Sequence, residues 1–455
     1  LCSSGDMAGL SLGWARGSAG AGLLRHLTPP SFSQWSRGYR TFDVVVIGAG
    51  IIGVTTARQL LQNHGDLKFA ILEKEQEIAS HQSGHNSGVI HSGIYYTPGS
   101  LKAKLCVRGA ALLYEFCERK SIPHRRCGKL IVAVDQQEIP RLRALYERGL
   151  RNQVPGLAMI GPKQIKEKEP YCRGLMAVDS PNTGIVIYKY VAKSCLDEFW
   201  DYGGCLITDF EVAGIEMTRE SPMGSEGMQY PVMIRSTKGE DVYCKYVVTC
   251  AGLFSDRLSQ ISGCSPEPRI VPFRGDYLML KPEKRYLVKG NIYPVPDPRF
   301  PFLGVHFTPR FDGNVWLGPN AVLAFKREGY KLCDFSARDV ADAVAYRGLR
   351  KLVMKNFSYG VGEMYRAFSL SAQLKALQKY IPELSIHDLM RGPSGVRAQA
   401  LDRDGNLVDD FVFDSGTGTI ASRILHVRNA PSPAATSSLA IAEMIADEAA
   451  KRFGL

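Results

Sequence analysis

The sequence predicts an α/β protein: a Rossmann-like nucleotide-binding domain with an antiparallel-sheet domain inserted into it. Three observations carry this reading. A short, wholly apolar run, Val44–Ile47, is what a parallel strand buried on both faces requires. Glycines at 48, 50 and 53 follow in the GxGxxG spacing that turns such a strand into a helix. A second apolar run, Phe69–Leu72, then ends on an acid, Glu73.

Each of these residues has a physical task. Gly48 permits the tight turn, Gly50 lets backbone approach a pyrophosphate, and Gly53 brings helix and sheet close. The free N–H groups at the start of the helix then favour the anion. Glu73 is placed to accept hydrogen bonds from ribose hydroxyls, and its charge disfavours a 2′-phosphate and therefore NADP. The βαβ unit by itself does not choose between NAD and FAD.

A chain of 455 residues, 45% hydrophobic and 22% charged, has ordinary globular composition and room for two domains. Its apolar runs fall short of the roughly 20 residues a membrane-spanning helix requires. Residues 1–40 differ from the rest, with Arg16, Arg25, Arg37 and Arg40, many serines and a single acid, Asp6. That is the composition of a mitochondrial transit peptide or a disordered leader. The net charge of +11 comes without a long basic run or a nucleic-acid-binding module, so nucleic acid is not an expected partner. A matrix or membrane-surface location, or an anionic substrate, accommodates the charge. The 11 cysteines contain no CxxC pair, which argues against zinc, a dithiol centre or any other metal site and for mostly buried, inert thiols in a reduced compartment.

Further along, helices are expected over Leu101–Glu118, Ile139–Arg151, Pro162–Glu169, Tyr188–Asp201, Ala337–Phe357, Ser369–Tyr380 and Leu439–Arg452. Strands are expected around Ile131, at Cys205–Thr208 and at Phe210–Ile215, with a loop over Ser221–Gly227. A buried strand from Tyr246 enters a glycine turn at Ala251 and Gly252, closing the nucleotide sheet late in the sequence. Ile270–Leu280, Gly304–Phe307 and Val315–Gly318 read as a separate sheet, with turns near Pro296 and at Asp312–Gly313. The nucleotide domain is therefore expected to be discontinuous, over 41–125, 185–265 and 390–455, with the substrate domain over 126–184 and 266–389.

Chemistry-bearing residues cluster in three places. The loop Gly84–Tyr96 is rich in small residues and holds His91, which can carry a proton near neutral pH. His306 and Arg274 fall on strands of the second sheet. Arg397 follows what reads as a flexible glycine turn, and a guanidinium can hold a carboxylate through two parallel hydrogen bonds.

The segments His85–Tyr96, Val271–Tyr277, Phe302–Arg310, Leu317–Val322 and Gly395–Ala400 together carry a resemblance to the FAD-dependent amine- and hydroxyacid-oxidising flavoproteins related to glycine and D-amino-acid oxidases. The resemblance runs from Phe42 to the C-terminus. It implies FAD, with Gly48, Gly50, Gly53 and Glu73 on the ADP half and Asn86 and Ser87 near the pyrophosphate. It further implies Val212 backbone at the adenine, Ala251 and Gly252 along the cofactor, and Gly395 and Thr436 beside the flavin. Thr436 to Ser438 suits an N-cap of the last helix, whose dipole stabilises negative charge on a reduced flavin.

The expected reaction is hydride transfer from C2 of a small 2-hydroxy dicarboxylate to flavin N5, with His91, or secondly His306, accepting the hydroxyl proton. Arg397 is expected on one carboxylate and Arg274 on the other, with Tyr277 and Tyr95 lining the substrate. Electrons are expected to leave to a respiratory acceptor, a quinone or an electron-transfer flavoprotein. The basic stretch Ala341–Phe357 is a candidate for peripheral contact with the inner membrane, though a solvated helix fits it too. Amino-acid or glycerol-phosphate oxidation, and a non-enzymatic flavin-containing assembly factor, are the rival readings; His91, His306 and Arg397 weigh against the last.

Overall fold

The run that opens the nucleotide-binding unit forms strand β1, Arg40–Ile47, followed by helix α1, Ile51–Asn63, and strand β2, Phe69–Leu72. The computed structural model describes residues 40–218, 229–297, 304–331, 333–355 and 369–455; the leader before Arg40 and the expected loop at 221–227 lie outside them. β1 pairs in parallel with β2 on one side and with Asp241–Thr249 on the other. Cys205–Ile207 extends the sheet beyond β2. On the far side, Ile424–Asn429 joins the end of Asp241–Thr249 in parallel, while its beginning pairs with the antiparallel ribbon Val232–Ser236 and Val212–Met217.

The side chains of β1 explain its unbroken apolar sequence. Val44 and Val46 enter a core shared with α1 and the helices Tyr188–Asp201 and Ser438–Phe453. Val45 and Ile47 enter a second core with Ile215, Ile234 and Leu258. A strand covered on both faces has no position left for a polar side chain. Full burial of each such side chain contributes about 1.5–3 kcal/mol.

The second sheet runs through Met176–Ser180, Lys129–Ala133, Asn291–Pro294, His306–Pro309, Val315–Gly318 and Arg269–Leu280. Arg269–Leu280 then pairs along its length with Leu389–Leu401. That last strand corrects the sequence reading in two respects. The glycines around Arg397 do not form a turn; they lie inside a 13-residue strand. Residues 390–401, assigned by the sequence to the nucleotide domain, are therefore part of the second sheet. A third, small sheet joins Val89–Ile90, Gly184–Val186 and His124–Arg125.

The helix expected over Ala337–Phe357 is two helices, Ala337–Ala345 and Arg347–Lys355; Phe357 is outside the described residues. The break falls at Tyr346, whose extended backbone (ψ 121°) turns its ring inward so that the hydroxyl donates to the Leu401 carbonyl at 2.9 Å. Ten cysteines among the described residues are free thiols, and no helix among those residues is long and apolar enough to cross a membrane.

Candidate active site

The glycine-rich turn is built against the middle segment of the chain. Gly48 has φ +104°, and a Cβ there would come 2.5 Å from the Cys250 carbonyl oxygen. A Cβ on Gly53 would overlap the Gly48 carbonyl, so helix and turn can meet only through glycine. Gly50 is less crowded, with Ser83 Oγ 3.4 Å from its ideal Cβ position. The Glu73 carboxylate is buried beside this turn, where it accepts from the N–H groups of Ala49 (2.6 Å) and Glu75 (3.0 Å). Ala251 and Gly252 follow the strand Asp241–Thr249, and the Cys250 N–H donates to the Ile47 carbonyl at 2.8 Å. Val212 begins its strand at a register irregularity opposite Ser236. A close backbone turn, a helix start whose Ile51 N–H is held by Ser83 Oγ at 2.8 Å while its N-cap residue is a glycine, and a buried acid fit the ADP half of FAD.

The loop after β2 leads toward the second sheet. Asn86 donates to the carbonyls of Gln82 and Ser83 and accepts from the Gly88 N–H, so its amide shapes the loop itself. Ser87 lies between that turn and strand Val89–Ile90. Gly395 lies at mid-strand, where a Cβ would come 2.7 Å from the His85 carbonyl; this brings the second sheet against the loop. Thr436 Oγ1 accepts from the His91 N–H (3.1 Å) and shares a hydrogen bond with the Tyr188 hydroxyl (2.9 Å). The residue thus ties the approach to the last helix to the loop that carries His91. The N-cap position is Ser437, inside the expected 436–438, but its side chain makes no capping bond; Thr436 itself serves as the tether.

The groups of the candidate site converge from five strands and this loop. His91 Nδ1 is buried without a hydrogen-bond partner. Burial, then the charges of Lys129, His306 and Arg397, holds this imidazole well below its usual value. His306 is pushed down to about 3, first by burial. Its Nδ1 lies 3.1 Å from the Gly304 carbonyl, which assigns the proton to Nδ1 and the lone pair to Nε2. Its ring stacks on Tyr293 at 4.2 Å. Tyr95 has a buried, unpartnered hydroxyl, and its loop is fixed by Arg148 and Asn152, which donate to the carbonyls of Tyr95 and Tyr96. Tyr277 packs on Trp316 at 4.8 Å and feels the charges of Arg397 and Arg310.

Two residues change the expected assignment. Arg274 is buried on the other face of its strand pair: Phe273 is the residue opposite Arg397, and Arg274 is opposite Val396. Its guanidinium pairs with Asp276 (2.9 Å) and donates to the Lys331 carbonyl (3.0 Å), so it is committed within the protein and does not face the pocket with Arg397. Lys129, which sequence reasoning passed over, does reach the pocket. Its ammonium lies 4.3 Å from the Tyr293 ring centroid and 5.3 Å from that of Tyr95. Its signal was a lysine directly preceding the otherwise apolar run Leu130–Ala133.

No metal centre was expected, and one set of side chains bears on that. Glu75, His81 and Glu328 converge closely enough to hold a cation. The Lys74 ammonium already lies among them, 3.0 Å from Glu328 and 2.9 Å from His81 Nε2.

The arrangement defines a flavin-dependent oxidoreductase, and residues 43–448 match the family model of FAD dependent oxidoreductases, to which the chain belongs. FAD is its cofactor. The curated relatives are more specific. The protein named L-2-hydroxyglutarate dehydrogenase, mitochondrial, of Bos taurus is 66% identical over 451 residues, 97% of each chain. Its Homo sapiens counterpart is 65% identical over 445 residues, 97% of this chain and 96% of the relative. Among solved structures, L-alpha-glycerophosphate oxidase of Mycoplasma pneumoniae, with FAD bound, superposes with a TM-score of 0.70 at 20% identity, covering 91% of this chain and 95% of that one. Glycine oxidase of Bacillus cereus gives 0.62 at 18% identity, covering 90% and 95%. These two likenesses establish the fold.

Proposed function

We propose that the chain oxidises L-2-hydroxyglutarate to 2-oxoglutarate, in keeping with the name its near-full-length relatives carry. The observation that carries this reading is the sign of the pocket. Among the described residues, the charges acting on His91 come from Lys129, His306 and Arg397, and those on His306 from Arg397 and Lys129, with no carboxylate among them. Such a site favours a dianion.

FAD supplies the two-electron acceptor for the C2 hydride. Arg397 holds the C1 carboxylate with its planar fork, which fixes C2 and its hydroxyl relative to the histidines. His91 takes the hydroxyl proton at its unpartnered Nδ1. Its low proton affinity is a consequence of burial and surrounding cations, and a bound dianion offsets the second of these. Thr436 holds the His91 backbone in place, and His306, Tyr95 and Tyr277 form the walls.

The protein is mitochondrial in this reading, as its relatives' names state for them, and faces the matrix, passing electrons to a respiratory quinone or electron-transfer flavoprotein. Val353 and Met354 are exposed beside Arg350 on Arg347–Lys355, which supports peripheral contact with the inner membrane. Anaerobic titration of the FAD-loaded protein tests the reaction. L-2-hydroxyglutarate is expected to bleach the flavin absorbance and the D-enantiomer to leave it. No bleaching by the L-diacid, or equal bleaching by L-lactate or glycerol 3-phosphate, refutes it.

A further inference from the structure

Lys129 is 2% exposed, at the head of a strand whose residues are all buried. Its backbone is fixed between Asn291 and Ser180 on the neighbouring strands. Among the described residues its ammonium has no carboxylate at ion-pair distance; it rests on the faces of two tyrosine rings. Ring faces attract a cation but do not replace the water it loses on burial. A folded protein that keeps an ammonium in this condition is arranged to receive an anion there.

The surroundings say where that anion lies. Tyr293, under the ammonium, also stacks on His306, so cation and imidazole are fixed to one aromatic plate. Arg397 stands on a different strand of the same sheet, and both cations act on both histidines. A ligand with a carboxylate at each end would neutralise the two cations and leave its carbinol carbon beside the imidazoles.

We propose that Lys129 receives the second carboxylate of the substrate and so selects a dicarboxylic over a monocarboxylic 2-hydroxy acid. The assignment rests on the reaction proposed above and replaces Arg274 as the second anchor.

The test compares FAD-loaded wild type with Lys129→Met and Lys129→Arg, using L-2-hydroxyglutarate as substrate and glutarate as a non-reacting probe of flavin absorbance. Lys129→Met is expected to keep its flavin, to raise KM for the diacid about 30- to 100-fold with a smaller change in kcat, and to lose the glutarate perturbation. Its kcat/KM on an L-2-hydroxy acid with an apolar tail is expected to stay level or rise. Lys129→Arg is expected to recover much of the diacid KM, which a purely structural role would not allow. An unchanged KM in Lys129→Met, or an arginine variant as impaired as the methionine one, overturns the assignment. So does a methionine variant that has lost its flavin while the arginine variant keeps flavin and fails to respond to glutarate. Failure of wild type itself to bleach with the L-diacid is a different outcome and removes the reaction instead.

Discussion

At pH 7 the two pocket imidazoles are neutral and the pocket ammonium is charged, because burial shifts every one of these groups toward its uncharged form but only the imidazoles far enough to lose the proton. Lys129 is brought down to about 8, so its ammonium is present below that pH and lost above it. Binding of a dianion needs the charge; kcat/KM should therefore fall about tenfold per pH unit above roughly 8. The groups facing Lys129 do not mask this limb. Tyr95 and Tyr293 are pushed up, Cys106 is pushed up to about 12, Cys127 is raised, and His91 and His306 are lowered. A pH profile that stays level to pH 10 would contradict it. At the same scale, His91→Ala should lower kcat by about 10² or more with flavin retained, read by steady-state kinetics alongside the flavin-to-protein ratio. His91 and Arg397 stood out in the sequence as candidates, His91 in a loop rich in small residues and Arg397 through the family resemblance; the structure adds that Arg397 acts electrostatically on both His91 and His306. Lys129 did not stand out, because a lysine before an apolar strand reads as its solvated end until three-dimensional packing buries it.

Among the elements, the βαβ unit was legible almost residue by residue, since its strand, turn and helix impose separate steric demands on adjacent positions. Strand Leu389–Leu401 was not, because glycine at 392 and 395 and Pro393 are the ordinary signature of a turn. Their presence in a strand has a packing reason: the His85 backbone runs against Gly395 too closely for a Cβ. Gly395→Ala should therefore separate strand and loop, with a loss of about 1–3 kcal/mol in thermal or denaturant unfolding and weaker flavin retention. Unaltered unfolding and flavin content would show that the contact relaxes freely. The helix break at Tyr346 escaped the sequence for a related reason. Helical periodicity continues on both sides, and only the buried hydroxyl on the Leu401 carbonyl shows why the backbone departs from it.

For the molecule as a whole, the sequence supported an α/β protein with a second sheet and FAD chemistry, and the structure and family agree. It identified the second sheet's strands less well than its existence, since each is short and its partners are distant in sequence. The nucleotide sheet shows the same dependence on distance. Its central strand β1 is flanked by segments 69–72 and 241–249, and the latter is in turn flanked by 424–429. The Thr436 tether then fixes His91 from 345 residues away along the chain. Synthesis from the N-terminus therefore delivers the nucleotide turn early and the threonine that steadies the His91 loop hundreds of residues later. A ribosome-bound chain stalled before Ile424 holds an incomplete sheet and an unanchored loop, so a working pocket cannot assemble until that late strand and Thr436 have been made.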